Sequence, residues 1–354
     1  MARALELALR GINSTSPNPR VGCVVARDGK IIGEGWYERA GGAHAEVAAL
    51  ADARARGHDP AGATLYVTLE PCNHTGRTPP CTDAVIAAGI RRVVAAMPDP
   101  NPVAAHGAAR LRAAGIATEF GVLEDEAREL NLGWLWRLAH GRPWVRLKIA
   151  TSLDGRSALV NGSSRWITGE AAREDGHRYR ARACAILTGI GTVRADDPAL
   201  TVRAVPTPRQ PLRVVVDRNA ETPPQARVLA GETTLVVTAG ARNAAWPDGV
   251  ETIALPDAAG GVDLVALVAE LARRGVNELH VEAGAGLNGA LFAAGLVDEV
   301  VAYVAPLVLG DPARGVADFG DGLQALADGV RLRFHDVARV GDDLRVIARV
   351  LRKD

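Results

Sequence analysis

His44-Ala45-Glu46, followed downstream by Pro71-Cys72 and Cys81, puts one imidazole, two thiols and one carboxylate into two short segments. Three such ligands suit a tetrahedral zinc whose fourth position stays open to water. Bound zinc lowers the pKa of that water to about 7 and makes a nucleophile at neutral pH. Glu46, two residues from the histidine, is poorly spaced to be a fourth ligand and well spaced to shuttle protons. Together these groups suit hydrolytic removal of an amino group from a nucleobase-like ring.

The pattern approaches the zinc-deaminase signature, H-x-E with P-C-x-x-C. It departs in one respect, because eight residues separate Cys72 from Cys81. A closed structural site completed by Cys23, His58 or His74 is the competing reading. Structural sites usually draw on paired CxxC knuckles. This chain has none, and a structural site gives Glu46 nothing to do.

These groups must be positioned by folded elements. Leu5, Ala8, Leu9 and Ile12 mark one face of an opening helix. Val21 to Ala26 and Lys30 to Trp36 read as strands joined at Asp28-Gly29, a hairpin signal. The Ala-rich stretch from His44 to Arg56 reads as a helix with His44 and Glu46 in its first turn. Thr64 to Leu69 is a buried strand whose end delivers Cys72. Cys81 opens a helix, where the dipole favours thiolate. Further elements are a strand at Arg91 to Ala96, a rigid loop at Pro98 to Pro102, a helix near His106 to Ala114, a strand at Ile116 to Phe120 and a helix from Glu124 to Leu138.

His140-Gly141-Arg142-Pro143 reads as a joint, giving domains at 1–140 and 144–354. The second part again alternates strands and helices, so the fold class is α/β with two layered domains. Its strands fall at Trp144 to Thr151, Ala185 to Gly189, Leu212 to Asp217, Thr234 to Thr238, Glu278 to Glu282, Val297 to Pro306 and Leu344 to Leu351. Helices fit Gly169 to Arg182, Leu264 to Arg274 and Leu287 to Ala294. Glycine-rich turns at Thr188 to Thr192 and Gly284 to Gly286 could bind phosphate through backbone N–H groups, or could merely allow tight packing. Neither is a G-x-G-x-x-G fingerprint. Arg180 and Arg203 could fork a phosphate or be surface groups, and Asp196-Asp197-Pro198 reads as a cap or turn.

Composition sets outer limits. The chain has 354 residues, 48% hydrophobic and 23% charged, which suits two globular domains. Its 41 basic and 41 acidic residues balance, so the basic footprint of a nucleic-acid binder is missing. Four cysteines, two of them assigned to metal, fit a reducing cytoplasm better than a disulfide scaffold. No apolar run approaches membrane-spanning length.

Several longer stretches add what spacing cannot. Ser16 to Val24 (SPNPRVGCV), His44 to Glu46, Thr68 to Cys81 (TLEPCNHTGRTPPC) and Asp99 to Pro102 (DPNP) resemble the bifunctional deaminase–reductase family of riboflavin biosynthesis. So do Lys148 to Arg156 (KIATSLDGR), Trp166 to Thr168, Ile186 to Val193 (ILTGIGTV) and Ala195 to Pro198 (ADDP). The resemblance spans nearly the whole chain, and the wide cysteine spacing is that family's own.

The resemblance implies a cytidine-deaminase-like domain followed by a dihydrofolate-reductase-like domain. The first would remove the 2-amino group of a diaminopyrimidinone carrying a phosphoribosylamino substituent. His44, Cys72 and Cys81 would hold Zn2+, Glu46 would move the protons, and Asn18, His74, Asp99 and Asn101 would meet the substrate. The second would use NADPH to reduce the ribosyl group to ribityl. Ala150, Trp166, Thr192, Asp196, Gly284, Ala285, Gly286, Leu287, Asn288 and Gly289 would line the cofactor site. Ser164, Arg180, Arg203 and Glu282 would meet the substrate. Asp196 is open between proton donor, positioning group and ordinary cap. A homo-oligomer acting on a small phosphorylated pyrimidine, with no nucleic acid or membrane partner, is expected. The chain departs from the family at Tyr37, where many relatives have histidine, and at Ala105, where glycine is usual. Two rival readings stand beside this one: a nucleoside, nucleotide or tRNA deaminase fused to a cofactor domain, and a structural zinc module in a binding protein.

Overall fold

Two units divide the chain, Met1–His140 and Gly141–Asp354. The structure, a computed structural model, describes residues 1–352 apart from Arg77, Glu232, Ala241 and Asp311. Arg77, part of the cysteine-bearing stretch, therefore lies outside the described residues.

The first unit begins with α1 (Ala2–Leu9), whose Ala4 and Leu7 pack on Val24 of β1 (Gly22–Arg27). Asp28 and Gly29 take positive φ values of 50° and 74°. That turn matches strand twist and returns the chain as β2 (Lys30–Trp36), antiparallel to β1. Next comes α2 (Ala45–Ala55), laid across β2. A Cβ on Gly33 or Gly35 would stand 2.4 Å from the backbone of Ala49, so only glycine permits this approach. It sets the height of the helix start, where His44 is the N-cap. Then follow β3 (Thr64–Val67), α3 (Cys81–Ala87), β4 (Arg92–Ala95), α4 (Gly107–Ala113) and β5 (Ala117–Glu119). The sheet order is β2-β1-β3-β4-β5, with β3, β4 and β5 parallel.

One helix was expected from Glu124 to Leu138; the structure has two, α5 (Glu124–Leu130) and α6 (Leu132–His140). The break falls at buried Asn131, whose Oδ1 accepts the Arg20 N–H at 2.7 Å while its Nδ2 donates to the Arg20 carbonyl at 3.0 Å. A side chain that binds backbone elsewhere competes with helix continuation. Here it pins the loop that carries Asn18.

The second unit contains β6 (Trp144–Ser152), α7 (Glu170–Arg182), β7 (Ala185–Gly189), α8 (Ile190–Asp196), β8 (Leu212–Val216), β9 (Thr234–Thr238), β10 (Val250–Ala254), α9 (Leu264–Arg273), β11 (Glu278–Val281), α10 (Ala285–Ala293), β12 (Glu299–Ala305), β13 (Leu332–Val340) and β14 (Asp343–Val350). Nine strands run in the order β10-β9-β8-β7-β11-β6-β12-β14-β13. All are parallel up to β12, and β14 and β13 are antiparallel. Val145, Leu147, Leu187, Val214, Leu235, Leu279 and Val281 are buried between sheet and helices, as parallel strands require. Sequence patterning missed α8, β10 and β13. The first begins on glycine-rich residues read as a turn, and the other two lie at the sheet's edges. Strand β13 also carries a bulge between Phe334 and Asp336 that breaks its alternation.

Candidate metal centre and cofactor site

In the first unit His44 Nδ1 lies 3.0 Å from Cys81 Sγ and 3.5 Å from Cys72 Sγ. The three ligand atoms all fall within 4.8 Å of one another. Tetrahedral zinc at ordinary bond lengths holds such atoms roughly 3.5 Å apart, so the set fits the ion. Three elements deliver the ligands: the start of α2, the loop after β3 and the start of α3. The N–H of Cys81 points at Cys72 Sγ from 3.4 Å.

The electrostatics of the metal-free chain describe a site short of a cation. A hydrogen bond from Cys81 pulls the Cys72 thiol down to about 4, while that bond and burial push Cys81 well up. One proton is thus shared between two sulfurs. His44 is raised, chiefly by its hydrogen bond to Cys72. Glu46, 4% exposed, is pushed up to about 7 by burial and then by the Cys72 charge. A divalent cation would take the place of these protons.

A cavity of about 520 Å³ opens over the cluster. Glu46, Asn18, His74, Asp99 and Asn101 line it together with His44 and Cys72. All five residues expected beside the metal thus share one wall with it. His74 Nδ1 is buried without a hydrogen-bond partner among the described residues. Asp99 accepts the Asn101 N–H at 2.8 Å, and the Asn101 side chain accepts the Val103 N–H. Glu70 was not singled out in the sequence. Its carboxylate receives the N–H groups of Asp99 and Ala108 at 3.1 and 2.7 Å and braces the loop. Its position two residues before Cys72 was the available signal.

Burial, and secondarily the Glu70 charge, pushes the Asp99 carboxyl up to about 6. The folded state therefore holds this proton more tightly than the unfolded chain. The resulting stability is full below pH 4 and is lost as pH rises through 6. Asp99→Asn should remove the cost of the buried charge and raise the stability of the first unit by about 2 kcal/mol at pH 8, with little change at pH 4. Thermal unfolding of the metal-free chain at both pH values checks this; equal shifts would contradict it.

In the second unit the expected residues fall into three groups. Arg180 on α7 forms a bidentate pair with Glu282 just beyond β11, at 2.5 and 2.8 Å, and its third nitrogen donates to the Thr201 carbonyl. The Arg203 N–H donates to His177 Nδ1 at 3.3 Å. Ser164 approaches Asp196 Oδ1 at 3.5 Å, and the Arg165 guanidinium also donates to the Asp196 carbonyl. Asp196 is the last residue of α8, with Asp197 in the left-handed region after it.

The third group surrounds the start of α10. Gly284 is its N-cap, with no side-chain capping bond. A Cβ on Gly284 would meet Thr192 Oγ1 at 3.7 Å, and one on Gly286 would meet nothing. The first N–H groups of a helix have no intrahelical partner, and at a glycine-rich start they can take the phosphate groups of a dinucleotide. Trp166 is 65% exposed, with the Arg173 guanidinium 4.6 Å above its ring. The residues thus fit NADPH. Ala150 sits on β6 opposite Tyr303, Leu287 packs beside Gly189, Asn288 donates to the Val316 carbonyl, and Gly289 meets the Asp318 backbone.

Sequence reasoning passed over Lys148, His177 and His280. Lys148 is lowered by burial and by the Arg180 charge, with the Glu282 charge acting against both. His177 is lowered to about 4 by burial and by Arg180 and Arg203. His280 is fully buried, and its Nε2 lies 3.4 Å from Glu282. His177 stands three positions before Arg180 on a helix and His280 two before Glu282 on a strand, which puts each on its neighbour's face.

The chain matches the family model described as the cytidine and deoxycytidylate deaminase zinc-binding region over residues 1–97, and the RibD C-terminal domain over residues 143–346. It is 48% identical to the riboflavin biosynthesis protein RibD of Escherichia coli, over 97% of this chain and 96% of that protein. The Aquifex aeolicus RibD is 42% identical, over 97% and 96%. Among solved structures, Acinetobacter baumannii RibD superposes with a TM-score of 0.91 at 42% identity, covering 99% of this chain and 98% of that one. A Thermotoga maritima diaminohydroxyphosphoribosylaminopyrimidine deaminase/5-amino-6-(5-phosphoribosylamino)uracil reductase gives 0.90 at 36% identity, covering 99% and 97%.

Proposed function

We propose a residue-level mechanism from one premise: the chain belongs to the RibD family, the bifunctional deaminase–reductases of riboflavin biosynthesis. The chain is therefore an enzyme with a zinc-dependent deaminase domain and an NADPH-dependent reductase domain. The fold is cytidine-deaminase-like in the first domain and dihydrofolate-reductase-like in the second. What remains to assign is which side chain does what.

His44, Cys72 and Cys81 hold zinc, which when bound supplies a Lewis acid and a nucleophile at neutral pH. Glu46 takes one proton from the attacking water and passes it to the ring nitrogen, then takes the second from the resulting hydroxyl and passes it to the amino group that leaves as ammonia. Asn18, His74, Asp99 and Asn101 orient the diaminopyrimidinone over the ligands. In the reductase domain NADPH, when bound, supplies the hydride. Ala150, Trp166, Thr192 and the 284–289 turn hold it, and Ser164, Arg180, Arg203 and Glu282 hold the phosphorylated ribosyl substrate. Asp196, beside Ser164, positions the substrate and stands near the cofactor. The observation that carries the assignment is the triad of ligand atoms within 4.8 Å, facing a cavity walled by Glu46. Incubation with the diaminopyrimidinone phosphate, zinc and NADPH should release ammonia and then oxidise NADPH. Turnover of cytidine in place of that substrate would overturn the reading.

We also place the enzyme in the cytoplasm, which its four free thiols favour, and no helix among the described residues is long and apolar enough to cross a membrane. A homo-oligomer is favoured by edge strand β13. Leu332, Phe334 and Val337 are 42%, 75% and 56% exposed, and the bulge keeps them on one face. Such an edge invites pairing with a second copy. Phe334→Glu should turn an oligomer into a monomer in sedimentation; a monomeric unsubstituted protein would refute the proposal.

A further inference from the structure

His280 lies within β11 and is fully buried, and neither of its ring nitrogens makes a regular hydrogen bond among the described residues. Strand alternation puts it on one face with Glu278 and Glu282. That face lies against α7: Arg182 Nε donates to Glu278 at 2.6 Å, Arg180 pairs with Glu282, and the Tyr179 ring stacks on His280 with centroids 6.3 Å apart and planes 12° from parallel. Burial holds the imidazole below its ordinary pKa, so the ring is neutral, with one N–H and one lone pair. Nε2 stands 3.4 Å from Glu282 Oε1. An ionised carboxylate only accepts, so this contact assigns the ring proton to Nε2 and leaves Nδ1 an unpaired acceptor. An unpaired polar atom in a core costs stability that an apolar side chain would not, and such a group in the middle of a sheet needs a reason.

Glu282 supplies that reason. Its backbone is fixed on both sides, the N–H donating to the Leu187 carbonyl at 2.9 Å and the carbonyl accepting the Thr188 hydroxyl at 2.7 Å. Its carboxylate has about four lone-pair directions. Arg180 takes one on each oxygen, through Nε at Oε1 and Nη2 at Oε2. The His280 contact is looser than a regular hydrogen bond, yet it fills the side of Oε1 that Arg180 leaves. One direction remains, on Oε2, and the side chain keeps 16% of its surface exposed for a ligand to reach it. We infer that His280 is a positioning residue of the reductase site, one that closes off Oε1 so that Glu282 meets the ribosyl substrate through Oε2 alone and in a single orientation. The inference rests on the reading of Glu282 as a substrate contact. A carboxylate free to turn would shift the bound sugar, and a misplacement of about 1 Å can cost up to about a hundredfold.

Activity and stability should then move in opposite directions when His280 is made apolar. With the deaminated pyrimidine phosphate supplied directly to the full chain, His280→Phe should raise its KM about tenfold, inside that range, while kcat, KM for NADPH and ammonia release stay near those of the parent. His280→Leu, closer to histidine in volume, should do the same and covers the case in which phenylalanine crowds the sheet. His280→Gln, whose amide can still point an N–H at Oε1, should recover part of the loss. Neither apolar variant carries the unpaired nitrogen, so the second unit's urea transition should fall at a midpoint no lower than the parent's in at least one of them. A residue that only supports the fold would instead lower the midpoint in both and leave the two KM values unsplit. An unchanged KM for the pyrimidine in both apolar variants, a lowered midpoint in both, or an equal loss in His280→Gln and His280→Leu would overturn the inference. Full reduction by Glu282→Gln would instead reject the substrate role of Glu282 on which the inference rests.

Discussion

Glu46→Gln is expected to cut deamination about a thousandfold, within the range for loss of a positioned general acid–base group, while zinc content and NADPH-dependent reduction of deaminated substrate stay intact. Glutamine keeps the size and hydrogen-bonding reach of the side chain but cannot carry a proton between water and ring. Glu46 is buried in the first turn of α2, two residues after the N-cap His44, so the substitution leaves the candidate metal ligands in place. Cys72→Ala gives the contrasting result. It removes one of three ligands and leaves Cys81 with no sulfur partner, so zinc and deamination should be lost together. Reduction should survive, because Arg180, Glu282 and Thr192 all belong to the other unit. Metal analysis and the two half-reactions, measured on each variant, decide the matter. Unchanged ammonia release by Glu46→Gln would return Glu46 to a structural role.

The candidate metal centre could be picked out in the sequence because its residues lie at the ends of strongly patterned elements. His44 caps α2 and Cys81 begins α3, and such starts are marked locally by composition and turns. The reductase groups were legible only by resemblance. Arg180 and Glu282 lie 102 residues apart, and nothing in either segment announces that they pair. Lys148, His177 and His280 were invisible for a related reason, since a polar residue in a strand or helix looks solvated until its neighbours are known. Elements were missed where local pattern conflicts with tertiary demand. Asn131 interrupts a helical run because it serves the Arg20 backbone, and the bulge in β13 shifts the face on which its apolar residues fall.

Glu282→Gln should be the most damaging single change in the second unit. The carboxylate pairs with Arg180, lies 3.4 Å from His280, and is held well below the usual range by Arg180 and Lys148 despite burial. Without it the half-buried Arg180 and Lys148 cations lose the carboxylate that offsets them. Breaking a buried pair from one side typically costs about 3–5 kcal/mol, and glutamine, which retains some hydrogen bonding, should fall near 3. The two units make a single two-state free energy inappropriate, so the quantity to follow is the second unit's own transition in urea. The pH dependence has a definite sign. A carboxyl with a depressed folded pKa contributes stability above its unfolded value, near 4.3, and loses it as pH falls through the lower folded value. The gap between parent and Glu282→Gln should thus be full at pH 7 and narrow only in strong acid. Replacing both partners, Arg180→Met with Glu282→Leu, should recover much of the stability, because apolar residues of similar volume substitute well for a buried pair. Reduction should still be absent in the double variant. Recovery of activity along with stability would show that the pair only supports the fold, and a gap that widens toward acid would show that the depressed carboxyl is misassigned.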